Sequence, residues 1–194
     1  MDHSHRKRIK HFEAERHVHE LTFSCLVRQP LLTNELWRGW FCENLQGACD
    51  RHEFLLLAYV LMPEHVHLLV CPGGSSSRIP NFLGDLKRQF SRRVKYALAA
   101  ARDPLLDRLT VRQRPGVTTF RFGQEGPGYD RNLMSPKAIV AAMEYIHANP
   151  VRRGLCQRAV DWTWSSARRL MTDADLDRTP RLSRFDPSLV TARN

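Results

Sequence analysis

Apolar positions along the chain change their period several times, and each change marks an element. VHELTFSCLV at 18–27 alternates loosely and predicts a first strand. Over 33–51, Leu36, Trp40, Phe41 and Leu45 recur at helical spacing, with Thr33 or Asn34 placed to cap. EFLLLAYVL at 53–61 is an apolar run, Met62, Pro63 and Glu64 interrupt it, and HVHLLVC follows before Pro72, Gly73 and Gly74. That pattern predicts two strands joined by a short turn. From Ser77 or Arg78 to about Arg102 the period becomes helical, with Ile79, Phe82, Leu83, Leu86, Phe90, Val94 and Leu98 in one stripe. TTFRF at 118–122 predicts a short fourth strand, and GQEGPGYDRN a glycine-rich loop. Ser135 and Pro136 open a helix that runs to about Ala148, where Asn149-Pro150 ends it. The order β-α-β-β-α-β with a trailing helix predicts an α+β fold. It is a ferredoxin-like split βαβ arrangement with a mainly antiparallel sheet of four to five strands. A flexible basic arm is expected over 1–16, the main domain over 17–156, and a basic extension and tail over 157–194.

Charge narrows the partners. Lys and Arg number 30 against 20 Asp and Glu, a net +10 with a pI near 10.0. A polyanion is the first expectation, nucleic acid before a membrane surface; charge that only aids solubility is the alternative. The five cysteines (Cys25, Cys42, Cys49, Cys71, Cys156) are odd in number and form no C-x-x-C pair. This argues against a disulfide framework and a zinc ribbon. The basic N-terminus has no apolar run behind it, and the stretch from Phe54 to Pro63 is too short to span a bilayer. A cytoplasmic, nucleoid-associated protein is expected.

Candidate chemistry begins with His65 and His67. On a strand they project from one face, with Val66 on the other, and two imidazoles at that spacing can share a metal ion. Spacing alone is weak: nine histidines give roughly 0.4 such pairs by chance, and His3/His5 and His17/His19 repeat it. His17/His19, at the head of the first strand, competes directly, and two core histidines bonded to backbone are the plain alternative for His65/His67. Tyr129 lies in GPGYDRN, where Gly126 and Gly128 leave room for a large substrate. A phenol needs a polarised phosphate or a nearby base to act as a nucleophile. On the long helix Arg88, Arg92 and Lys95 fall opposite much of the apolar stripe, Lys87 and Arg93 widen the patch, and acidic neighbours are nearly absent. Such a ridge can follow a phosphate backbone or be an ordinary solvated face.

AYVLMPEHVHLLV, FRFGQEGPGYDRNL, YIHANPVRRGL and DWTWSSAR, in that order over about residues 17–170, resemble the REP-associated tyrosine transposases. These are relatives of the small single-tyrosine insertion-sequence transposases, within the HUH endonucleases. The resemblance implies a ferredoxin-like catalytic domain over 17–156, with Mg²⁺ or Mn²⁺ on His65 and His67 and Tyr129 as nucleophile. It further implies a 5′-phosphotyrosine intermediate on single-stranded DNA beside hairpins of repetitive extragenic palindromes. Arg131, Arg152 and Arg153 join Lys87, Arg88, Arg92, Arg93 and Lys95 as expected DNA contacts. The assembly would be a monomer or a homodimer.

Three departures stand out. Gly123 replaces a common Trp, and Glu64 an Asn that often precedes the pair. In the insertion-sequence cousins a polar third ligand lies four residues after the tyrosine, which here is Leu133. Asn132 is the substitute expected to bind metal, with Gln124 and Glu64 as rivals. YIHANPVRRGL reads equally as a helix end, and Trp162 and Trp164 as core before base-stacking platforms. A DNA-hairpin binding protein without catalysis, and a hydrolase using water with Glu64 as base, are the alternatives.

Overall fold

In a computed structural model the described residues are 17–126, 128–172 and 179–184; the expected 1–16 arm, His3/His5 and most of the tail lie outside them. Strand β1 (Val18–Ser24) leads through two short 3-10 turns to helix α1 (Glu35–His52). Strands β2 (Phe54–Leu61) and β3 (His65–Pro72) form a hairpin, and helix α2 (Ile79–Ala101) follows. A short helix α3 (Leu105–Arg108) precedes strands β4 (Thr110–Arg114) and β5 (Val117–Phe120). Strand β6 (Tyr129–Leu133), helix α4 (Pro136–Arg152) and helix α5 (Ala167–Thr172) complete the order.

Four strands form one antiparallel sheet in the order β2-β3-β1-β6. This is the ferredoxin-like arrangement the pattern predicts. The fourth strand, however, is not TTFRF. Residues 117–120 pair with β4 in a separate two-stranded sheet, and the place in the main sheet goes to YDRNL. Glycines mask that strand in the sequence: Gly128, at φ 84°, turns the chain into β6 so tightly that any Cβ there would collide with the Thr22 carbonyl oxygen.

Sheet alternation sorts the two cores. Leu21, Val66, Leu68 and Val70 face α1 and α2, whose Phe41, Leu45, Phe82, Leu86 and Phe90 cover them. Val18, Leu69, Cys71 and Leu133 face the other way, under Ile139, Ala142 and Ile146 of α4. Caps fix where the helices start: the Asn34 side chain accepts from Trp37 N–H at 3.1 Å, and Ser135 from Ala138 N–H at 3.2 Å. Helix α4 does not stop at Asn149-Pro150 but runs on to Arg152. Pro150 removes only one late bond, and the carbonyls of Asn149 and Pro150 are taken by the N–H groups of Arg153 and Leu155.

The segment after residue 156 packs on the domain. Leu61 N–H donates to Trp164 and Ser166 N–H to Tyr59, so 164–166 line the outer edge of β2, where Ser183 also donates to Leu56. That covering removes an exposed strand edge. Trp162 donates from Nε1 to the Leu61 carbonyl at 3.0 Å, and both tryptophans pack against core with the Arg38 guanidinium over their rings. The core reading of these residues holds. Among the described residues no helix is long and apolar enough to cross a membrane.

Candidate functional site

The histidine pair sits where strand alternation expects it, on the α4 side of β3. Its two Nε2 atoms converge to 3.0 Å, with the rings edge to face. Each opposite nitrogen is held: His65 Nδ1 lies 3.0 Å from Glu64 Oε1, and His67 Nδ1 lies 2.8 Å from Thr22 Oγ1. Metal-binding imidazoles are commonly oriented this way, one nitrogen tethered and the other presented. Burial pushes the His67 imidazole down to about 4, helped by the charge of His65. Burial also lowers His65, against the pull of Glu64. Both rings are therefore neutral at pH 7, the form that ligates. For Glu64, burial alone would raise the carboxyl; bonds and charge from Arg153 and His65 outweigh it and hold the group below its ordinary range.

In the tautomer that bonds His65 Nδ1–H to Glu64, the pair's mutual contact takes a proton from His67 Nε2, leaving His67 Nδ1 to accept from the Thr22 hydroxyl. A metal on both Nε2 atoms requires the His67 proton on Nδ1, with Thr22 now accepting. That change needs the His67 proton to move from Nε2 to Nδ1 as well as a rotation of the Thr22 hydroxyl. The donor set fits a divalent cation on this count. Among the described residues, no three His, Cys, Asp or Glu side chains are grouped to hold a metal. Any further ligand must be an amide, water or substrate.

Register decides the remaining assignments. Thr22 is opposite His67 on one side and Tyr129 on the other, so the three share a face. Tyr129 is on a strand rather than the expected loop, two strand spacings from His67, on the order of 10 Å between backbones. A second tyrosine meets the His67 ring itself. Tyr145 of α4 places its ring centroid 5.8 Å from the His67 ring, edge to face. Both tyrosines, with Glu20, Thr22, His67 and Arg131, line a cleft of about 420 Å³. Sequence reasoning treated Tyr145 as a helix end; its signal was the YIHANP segment, whose role needed the docking of α4.

Asn132 does not reach the histidines. It pairs with His19 in register and points to the α1/α2 side of the sheet, near His17. The expectation assumed a helix, where three residues on is the same side; on a strand it is the opposite one. His19 also faces away and holds Asp130 at 2.9 Å, so the competing pair braces β6 instead of meeting the cleft. Gln124 lies beyond the end of β1, its N–H on the Ser24 carbonyl, in a groove against α2. Glu64 holds the far nitrogen of His65, the place of a carboxylate that orients a ligand. Leu133 is buried under α4.

All but one of the expected basic contacts fall into two groups. Arg152 stacks on the Tyr145 ring at 5.1 Å, Arg153 bonds Glu64 at 2.8 Å, and Arg131 bonds buried Glu20 at 2.9 Å. All three border the histidine site. Lys87, Arg88, Arg92 and Lys95 line a groove of about 460 Å³ between α2 and residues 119–126. Among the described residues no acidic side chain lines that groove; Arg121 also lines it, paired with Glu125 at 2.8 Å. Lys87 Nζ also bonds the Gly126 carbonyl at 3.1 Å and lies over Phe23, and burial brings it down to about 8. Arg93 is outside the groove, paired with Glu43 and stacked on Trp40.

An antiparallel β2-β3-β1-β6 sheet with helices on both faces is the fold of the tyrosine transposases. A solved structure described as a REP-associated tyrosine transposase bound to a REP hairpin superposes with a TM-score of 0.64, covering 92% of this chain and 100% of its own at 16% identity. Residues 14–108, just under half of the chain, match the family model described as Transposase IS200 like. A Haemophilus influenzae protein named as a REP-associated tyrosine transposase is 26% identical over 129 residues, 66% of this chain and 68% of its own length.

Proposed function

We propose that the protein is a metal-dependent single-stranded DNA transesterase that cleaves and rejoins strands at hairpins of repetitive extragenic palindromes. The observation that carries this reading is the edge-to-face approach of Tyr145 to His67, beside two converging Nε2 atoms in an open cleft. It favours Tyr145 over Tyr129 as nucleophile. The spacing of the insertion-sequence cousins agrees, because four residues after Tyr145 is Asn149, whose Nδ2 bonds the Tyr145 carbonyl at 2.9 Å. We assign Asn149 as third ligand in place of Asn132.

Mg²⁺ or Mn²⁺ on His65, His67 and Asn149 would supply polarisation of the scissile phosphate. The Tyr145 phenol attacks phosphorus in line; its P–O bond forms as the bond to O3′ breaks. The phenolic proton is lost and the departing oxygen gains one as a free 3′-OH. The product is a 5′-phosphotyrosine, with the ester bond conserved so that another 3′-OH can reverse the step. Arg152, stacked on the Tyr145 ring, stabilises negative charge developing on the phenolic oxygen. The strand reaches the cleft along the α2 groove, whose 119–126 wall continues through Gly128 into Tyr129.

A labelled hairpin with a single-stranded flank and Mn²⁺ tests this. Tyr145→Phe should lose nicking and the covalent adduct by about 10³-fold or more, and Tyr129→Phe should lose less than about tenfold. The reverse result assigns the nucleophile to Tyr129. Nicking that survives chelator overturns the metal role. The lack, among the described residues, of a third clustered His, Cys, Asp or Glu favours one other reading, a hairpin-binding protein without catalysis. Salt-dependent binding with no adduct from any variant or wild type identifies it.

A further inference from the structure

Two consecutive residues beside the histidine pair form a tight turn, closed by the Gln29 N–H on the Leu26 carbonyl at 3.0 Å, in a conformation that favours glycine. Val27 (φ 50°) and Arg28 (φ 52°) both lie in the left-handed region. The other two such non-glycine residues among those described, Glu53 and Arg102, close the C-termini of α1 and α2, a common place for that conformation. Val27 and Arg28 end no long helix. Val27 is β-branched and 76% exposed, so burial does not offset the strain.

What the turn achieves is the placement of Arg28. Cys25 N–H donates to the Glu64 carbonyl at 2.8 Å, pinning the turn to the residue before His65. The Arg28 guanidinium then lies 3.5 Å from Glu64 Oε1. That same oxygen is already bonded by Arg153 at 2.8 Å and by His65 Nδ1 at 3.0 Å. Two guanidiniums thus stand on one carboxylate, and Arg28 has the longer contact and is 61% exposed. The cluster carries one net positive charge beside His65. A planar, exposed fork of this kind suits a phosphodiester.

We propose that Arg28 binds a phosphodiester of the substrate strand flanking the scissile one, swinging off Glu64 while Arg153 stays in place to hold it. The inference rests on the reading above of a protein that acts on single-stranded DNA. Binding in chelator, where nothing turns over, tests it with hairpin oligonucleotides each carrying one neutral methylphosphonate near the cleavage position. Arg28→Ala, or Arg28→Gln if the alanine variant fails to fold, should weaken binding roughly tenfold and lower the salt slope by about one. One methylphosphonate should weaken wild type similarly and the variant no further. Arg28→Gly should relieve the backbone strain, so its melting midpoint holds or rises while binding falls; a merely structural role would lower both. Variants that bind as wild type, or losses that add at every methylphosphonate position, overturn the clamp alone. Wild type that does not bind hairpin DNA overturns the underlying reading with it.

Discussion

His67 and Thr22 illustrate how much one side chain can decide. The Thr22 hydroxyl is the partner that fixes which His67 nitrogen points into the cleft, and it must switch from donor to acceptor when a cation binds. Thr22→Val keeps shape and strand propensity but removes that acceptor. The apparent Mn²⁺ affinity, read by titration calorimetry or by metal dependence of nicking, should fall on the order of 10–100-fold. An unchanged affinity would show that His67 is oriented by packing alone. Glu64→Gln, which leaves an amide facing His65 Nδ1, should weaken metal less than Glu64→Ala because an acceptor oxygen remains.

At the scale of an element, β6 depends on one glycine. Gly128 carries φ 84° and passes so close to Thr22 that a methyl group cannot fit. Gly126, at φ 99°, has nothing near the same position. Gly128→Ala should therefore cost about 2–4 kcal/mol in urea unfolding and loosen Tyr129. Gly126→Ala should cost only the backbone penalty of about 1–2 kcal/mol. Equal costs would contradict the close approach. The groove along α2 makes a separate prediction: Arg88→Ala and Arg92→Ala should each reduce the salt slope of DNA binding by about one. Arg93→Ala should leave it nearly unchanged, since Glu43 and Trp40 already engage that side chain.

For the whole molecule, buried neutral histidines set an acid limit. His67 and His147 are both pushed by burial to about 4, and His65 moves the same way. Above their ordinary value of 6.5 neither folded nor unfolded chain carries these protons, so the histidines make no difference. As pH falls from 6.5 towards 4 the unfolded chain binds protons that the folded chain refuses, and stability declines. Unfolding free energy measured from pH 6.5 down to 5 should drop with a slope set by these groups. His147→Gln, which can keep a bond to Ser166, should flatten the slope by up to one proton.

The sequence by itself determined what short-range rules govern. Period-two alternation placed His65 and His67 on one face, caps at Thr33 or Asn34 and at Ser135 placed helix starts, and the charge excess pointed to nucleic acid. It misjudged YDRNL because turn glycines hide a strand of alternating exposure, and that error carried Asn132 to the wrong face. Only the tertiary structure decided which tyrosine meets the histidines, which arginines gather on Glu64, and where Leu133 is buried. Those contacts arise from α4 docking on the sheet and β6 pairing with β1, and such docking is set by complementary surfaces distant in the chain rather than by any local period.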